Sequence, residues 1–103
     1  MIFKGEHLDK ILSGTKTQTR RASRPKVKVG QSVRLRRGYS KYLSESIIIQ
    51  NVYTQRLGEI TKEEIQKEGF NSHNEFINAW SLLYGSWTPD KIIWVIDFEL
   101  GED

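Results

Sequence analysis

Gly14-Thr15-Lys16-Thr17-Gln18-Thr19-Arg20-Arg21 is the stretch on which the reading of this 103-residue chain turns. Before it, residues 7–13 are predicted as a short helix with Leu8, Ile11 and Leu12 on one face. Gly14 then stands where a helix commonly ends on a left-handed residue. After the glycine, Thr17 to Arg21 has the β-branched alternation of a strand. One amine, three hydroxyl or amide side chains and two guanidiniums fall within the six residues from Lys16 to Arg21. A site that grips an anion, or primes a hydroxyl beside a positive charge, needs that inventory. A solvated basic turn accounts for the same composition, because charge runs usually face water.

Working outward, Arg24-Pro25 marks a loop, since the residue before proline avoids the helical region. On the N-terminal side, Ile2-Phe3 can open a short edge strand. Ser32 to Arg36 alternates Val33 and Leu35 against Arg34 and Arg36, the pattern of a half-buried strand. Gly38 and Ser40 mark a turn, and Glu45 to Arg56 reads as a long strand. Thr61-Lys62-Glu63-Glu64 and Ser72-His73-Asn74-Glu75 are two capping-box patterns, so paired helices are expected to begin near 62 and 73. Phe76, Trp80 and Leu83 form the apolar stripe of the second of these helices, and Gly85 ends it. In the last strand Ile92, Trp94, Ile96, Phe98 and Leu100 face one way, and Ile93, Val95, Asp97 and Glu99 the other. The three tryptophans, at 80, 87 and 94, read as core or core rim. The order β-α-β-β-β-α-α-β points to one α+β domain over residues 1–103, its small mixed or antiparallel sheet curled towards a barrel.

Composition narrows the function classes. The absence of cysteine excludes disulfides, thiolate metal sites and a cysteine nucleophile, and suits a cytoplasmic setting. No apolar run approaches the roughly 20 residues needed to cross a bilayer. The N-terminus lacks the apolar core of a signal peptide. Neither His7 nor His73 has a second ligand at metal-binding spacing, so no metal and no cofactor are expected. Charge is strongly uneven. Residues 1–44 hold 12 Lys/Arg and 2 Asp/Glu, whereas residues 45–103 hold 4 and 11. A basic half of this kind suits a phosphate-bearing partner. Pairing of the two halves across the fold is the other explanation, and both can hold because surface ion pairs are weak.

Three separated segments carry a family resemblance: Ile11 to Arg21; Ile65-Gln66-Lys67-Glu68-Gly69-Phe70 with Phe76 and Trp80; and Trp94-Val95-Ile96-Asp97-Phe98. In this order and at these distances the chain resembles the ASCH domain, a branch of the PUA-like superfamily. The resemblance covers nearly the whole chain, and its first segment is the most specific. It implies a PUA-like β-barrel with flanking helices, a cleft beside the first motif, and RNA or a modified nucleoside as partner. Some members remove the acetyl group of N4-acetylcytidine as amidohydrolases; others are ribonucleases or bind RNA without chemistry. The amidohydrolase residues fall, by motif position, on Lys16, Thr19 and Glu68. Where those enzymes carry an apolar residue and then Arg, this chain has Arg20 and Arg21, which looks more like phage-type members.

The residues themselves allow that chemistry. A threonine hydroxyl is a nucleophile only beside a base. Lys16 is such a base if burial and the nearby Arg20 and Arg21 keep it partly neutral. Glu68 could orient a water or hold Lys16. Thr17, Arg20, Arg21, Arg24, Arg34 and Arg36 are the candidate contacts to RNA or nucleoside. Arg34, Arg36 and Arg37 with Tyr39 and Tyr42 either track a nucleic-acid backbone or form the wet face of a strand. Judged by its own helix turn, Glu63 to Glu68, Glu68 reads as solvent-exposed. Lys16 and Thr19 are three apart and would point to opposite faces of a regular strand. A joint site therefore requires Lys16 to lie in the turn before the strand begins.

Overall fold

The computed structural model describes residues 3, 5–37 and 41–101. Helix α1 (Gly5–Leu12) leads into strand β1 (Gln18–Arg21). Strands β2 (Ser32–Arg37) and β3 (Lys41–Arg56) follow, then one 3-10 turn (Leu57–Glu59). Helices α2 (Lys62–Lys67) and α3 (His73–Tyr84) precede the last strand, β4 (Ile92–Leu100). Ile2 of the expected opening strand lies outside the described residues, as do Gly38, Tyr39 and Ser40. Phe3 makes only an isolated parallel bridge to Arg37.

The four strands form one antiparallel sheet in the order β1-β4-β3-β2. It does not close into the expected barrel, because β1 and β2 are edges that do not pair with each other. β1 is only four residues long, and the chain entering it is tied to α2: the Thr17 N–H donates to the Lys67 carbonyl at 2.8 Å. That edge is thus met by a helix end and not by another strand.

Two cores lie on opposite faces of the sheet. Leu8 and Ile11 of α1 pack with Leu35, Ile47, Ile49, Ile96 and Phe98 on one face. Ile65, Phe76 and Trp80 of α2 and α3 pack with Leu57, Ile60, Ile93 and Val95 on the other. β4 is central, so its two expected faces are both buried along its middle, while Ile92 and Leu100 at its ends are exposed. The stripe of α3 ends sooner than its spacing implies. Leu83 is 56% exposed, and only Phe76 and Trp80 of the helix are buried.

The two helix starts differ. Thr61 and Glu64 form the full reciprocal box. At α3 the Ser72 hydroxyl accepts from the Glu75 N–H, but the Glu75 carboxylate reaches past the cap to the Asn71 N–H at 2.8 Å. The expected second box is therefore half formed.

Candidate active site

Lys16 precedes β1, as a joint site requires. Its position follows from how α2 ends. The last carbonyls of a helix lack internal partners and form its negative pole. Here three successive carbonyls take donors from the N-terminal segment. Lys67 O accepts from the Thr17 N–H at 2.8 Å, Glu68 O from Lys16 Nζ at 2.9 Å and Gly69 O from Lys10 Nζ at 2.7 Å. Gly69 has φ +90°, and a side chain there would meet Lys10 Cδ at 3.0 Å, so the close approach needs glycine.

Lys16 Nζ also donates to Glu68 Oε1 at 2.9 Å, and both residues are only 3% exposed. The local reading of Glu68 as solvent-exposed is corrected: its partners come from 52 and 48 residues away. Burial holds the Lys16 pKa below the ordinary lysine range; Glu68 opposes this, while Arg21 and Arg20 add to it.

Arg20 continues the network on the α2/α3 face. Its Nη1 donates to Glu68 Oε2 at 2.9 Å and Gln18 Oε1 at 2.6 Å. Its Nη2 donates to Glu64 Oε2 at 2.8 Å and Gln55 Oε1 at 2.9 Å, and its Nε to Gln55 Oε1 at 3.1 Å. A guanidinium has five N–H donors, so none is left for a ligand. Lys16, Glu68, Arg20 and Glu64 alternate in sign and together carry no net charge.

Thr19 and Arg21 occupy the other face of β1, opposite Ile96 and Trp94 in the register. Thr19 is 2% exposed. Its hydroxyl is held by Arg21 Nη1 and not by Lys16. Arg21 Nη1 also reaches the Arg20 carbonyl at 3.1 Å, and its guanidinium lies 5.3 Å from the Phe3 ring centroid. Arg21 is also one wall of a groove of about 370 Å³ that it shares with Tyr84 and the loop after β1.

The remaining candidates are placed less centrally. Thr17 contributes backbone, through its N–H to Lys67 and its carbonyl to the Phe98 N–H. Arg24 is exposed with its guanidinium 5.4 Å from the Trp94 ring centroid. Arg34 and Arg36 lie on β2, the edge of the sheet away from β1, and stack on Tyr42 at 5.6 and 4.7 Å. The structure thus gathers Lys16, Thr19, Glu68, Arg20 and Arg21 around β1, sets Arg24 beside them, and leaves Arg34 and Arg36 apart.

His7 is a neighbour that the sequence gave no reason to select. Its Nδ1 is buried with no hydrogen-bond partner among the described residues, and its ring meets Phe70 edge-on at 5.7 Å. Burial lowers its pKa, with Lys16 and Lys10 pushing the same way and Glu6 and Glu68 opposing. Only its position one helix turn before Ile11, on α1, links it to this end of the molecule in sequence. Among the described residues no group of three or more His, Asp or Glu side chains could hold a metal ion. No described helix is long and apolar enough to cross a membrane.

Comparison with known proteins places the fold. No family model matches the chain, and no curated protein matches it. Solved structures do. An ASCH domain from Lactobacillus crispatus JV V101 superposes with a TM-score of 0.78 over 92% of this chain and 70% of its own, at 16% identity. A DUF984 protein from Enterococcus faecalis V583 superposes with a TM-score of 0.64 over 90% of this chain and 65% of its own, at 22% identity. The chain therefore has the ASCH-domain fold and spans about two thirds of the length of these two proteins.

Proposed function

We propose that the chain is an RNA- or nucleoside-directed amidohydrolase that removes an acyl group such as the acetyl of N4-acetylcytidine. Thr19 is the nucleophile, Lys16 its base, and Glu68 the residue that holds Lys16. The observation that carries this reading is the contact of Lys16 Nζ with both the carbonyl and the carboxylate of Glu68, at 2.9 Å each, in a buried setting. A neutral lysine has two N–H groups and one lone pair. With both N–H groups engaged by Glu68, the lone pair is left to take a proton. Burial disfavours the charged amine and so keeps a share of it in that state.

In the reaction the Thr19 hydroxyl attacks the acyl carbon and its proton passes to Lys16. The C–N bond then breaks, and Lys16 returns the proton to the leaving amine. Water next attacks the threonine ester, releasing the carboxylic acid and restoring the hydroxyl. Because Thr19 Oγ1 accepts from Arg21, its own hydrogen is free to be given up. The guanidinium beside that oxygen favours its developing negative charge. Thr19 and Lys16 are not hydrogen-bonded in this state, and a substrate that draws Arg21 aside must bring them together, as free sites often tighten only on binding.

The test is turnover of N4-acetylcytidine and related N-acyl cytidines, free and within RNA. The wild type should release the acid and the amine. Thr19→Ala and Lys16→Met should each lower the rate by about 10²–10⁴-fold without loss of cooperative melting. A folded wild type that turns over none of these compounds removes the hydrolase reading. It leaves a second one, a binding module without chemistry, which the 2% exposure of Thr19 and its closed contact with Arg21 favour.

A further inference from the structure

We infer that His7 is a positioning residue: while neutral, its ring seats α1 on the α2–α3 joint and keeps the Lys16–Glu68 pair closed from water, and proton uptake loosens that seat. Three residues of the N-terminal segment grip three successive residues of the joint. Lys16 Nζ donates to the Glu68 carbonyl at 2.9 Å and Lys10 Nζ to the Gly69 carbonyl at 2.7 Å. The His7 ring meets Phe70 edge-on at 5.7 Å. His7 and Lys10 are three apart on α1 and so share a face. Phe70 in turn meets Phe76 edge-on at 5.7 Å, so the third grip reaches the core under α3.

Two of these grips are cationic, and helix-end carbonyls suit them. The third works only without charge. The Phe70 ring is already faced by Lys10 Nζ, 5.5 Å from its centroid, so a second cation on that ring would meet the first. The buried Nδ1 of His7 has no hydrogen-bond partner among the described residues. In neutral imidazole one ring nitrogen carries no hydrogen; in the cation both are donors, and a buried charged N–H needs an acceptor. The charged groups acting on His7 are Glu6 and Lys10 on α1, Lys16 before β1 and Glu68 after α2. Both carboxylates are engaged elsewhere. Glu68 receives Lys16 and Arg20 at 2.9 Å each, and the mostly exposed Glu6 lies 3.7 Å from Lys10. Burial and the two lysines accordingly hold the His7 pKa below 6.5.

A proton thus binds better when α1 is unseated. As pH falls from 6.5 to the seated His7 value, unseating should become about tenfold more frequent per pH unit, and then level off. Unseating also removes the burial that keeps part of Lys16 neutral. That link to turnover rests on the roles proposed for Lys16 and Glu68; the latch itself does not.

The experiment is NMR on the full chain without substrate, from about pH 4.5 to 7.5, the range in which histidines titrate. His73→Gln leaves His7 as the one imidazole. Its ring signals give its pKa. Hydrogen exchange of the Thr17 N–H, bonded to the Lys67 carbonyl at 2.8 Å, reports unseating. His7 should titrate below 6.5, and Lys10→Met should move that value up. Thr17 protection should fall about tenfold per pH unit between 6.5 and the His7 value, while staying below that of amides in the middle of β4. In His7→Phe, a ring without a titrating group, the fall should vanish, and any acid loss of turnover should become less steep. If that variant does not fold, the His73→Gln chain alone decides. His7 titrating at or above 6.5 overturns the inference. So does Thr17 protection that is flat through the window, or equal to that of β4, which would mean unfolding of the whole domain. Either result leaves Lys16, Thr19 and Glu68 in their proposed roles. The expected exchange without turnover of any acylated nucleoside supports the latch and removes the hydrolase.

Discussion

Arg20 and Arg21 are adjacent in β1 and are surrounded by different chemistry. Arg20 points to the α2/α3 face, where all five of its N–H groups meet side-chain oxygens of Gln18, Gln55, Glu64 and Glu68. Arg21 points to the α1 face, holds the Thr19 hydroxyl, and borders open space beside Tyr84. The period of two along a strand assigns these fates. One guanidinium neutralises buried carboxylates and binds the first motif to α2. The other holds the Thr19 hydroxyl and lines the groove beside Tyr84. A pair of arginines that reads as one basic motif is thus one internal tie and one half-buried groove wall.

Replacing each arginine breaks this comparison most directly. Arg20→Ala leaves Glu64 and Glu68 without the guanidinium they share, Glu68 keeping only Lys16, and removing one side of a buried ion pair costs about 3–5 kcal/mol. For a domain of this size that lowers the melting temperature by about 12 °C or more. Arg21→Ala loses a ring contact and two hydrogen bonds, to the Thr19 hydroxyl and the Arg20 carbonyl, and should cost about 1–2 kcal/mol, while weakening RNA binding. Melting curves and anisotropy on both variants check it. Equal destabilisation of the two would show that the faces are not divided as described.

Local pattern made much of the fold legible. The helix starts at Thr61 and Ser72 and the span of β4 follow from hydroxyl caps and alternating side chains, which act over three or four residues. Barrel closure was not legible, since whether two edge strands pair depends on what else meets those edges. At β1 it is the C-terminal end of α2. Glu68 shows the same limit at the site. Its helix turn is charged throughout, and nothing within that turn reveals that Lys16 and Arg20 will take it out of water. His7 was passed over because a lone histidine has no spacing to read. Its unpartnered Nδ1 and the charges around it exist only once α1 meets the α2–α3 joint.

The difference between the faces is sharpened by pH. The Lys16 pKa is lowered in the folded chain, so between that value and the ordinary 10.5 the unfolded chain binds more protons. Stability therefore rises with pH through that window, and Lys16→Met should abolish the rise. In turnover the neutral amine is the active form. The rate should climb about tenfold per pH unit below the folded pKa and level off above it. Glu64 acts in the same direction at acid pH. Burial alone would raise its pKa, but the Thr61 N–H, Gln55 and Arg20 outweigh burial and lower it below 4.5. Its contribution is complete above the unfolded value and is lost as pH falls through the folded one. A turnover profile that falls with rising pH across the same range, in a protein that stays folded, would rule out Lys16 as the base.

The smallest expected effect lies at the outer end of the network. Thr61 accepts from the Glu64 N–H at 3.2 Å, and Glu64 Oε1 accepts in return from the Thr61 N–H at 3.0 Å. The same carboxylate receives Arg20 through Oε2 at 2.8 Å. The cap that starts α2 therefore also aims Glu64 at the buried guanidinium. Thr61→Ala removes the hydroxyl acceptor and should cost about 1 kcal/mol, as helix caps do. Were the cap independent of the network, Thr61→Ala and Arg20→Ala would add. If Glu64 links them, the double variant should lose less than the sum, by about 0.5 kcal/mol or more. Urea melts of the two single variants and the double variant measure this. Simple additivity would confine the role of Thr61 to starting its helix and show that Glu64 holds Arg20 without help from the cap.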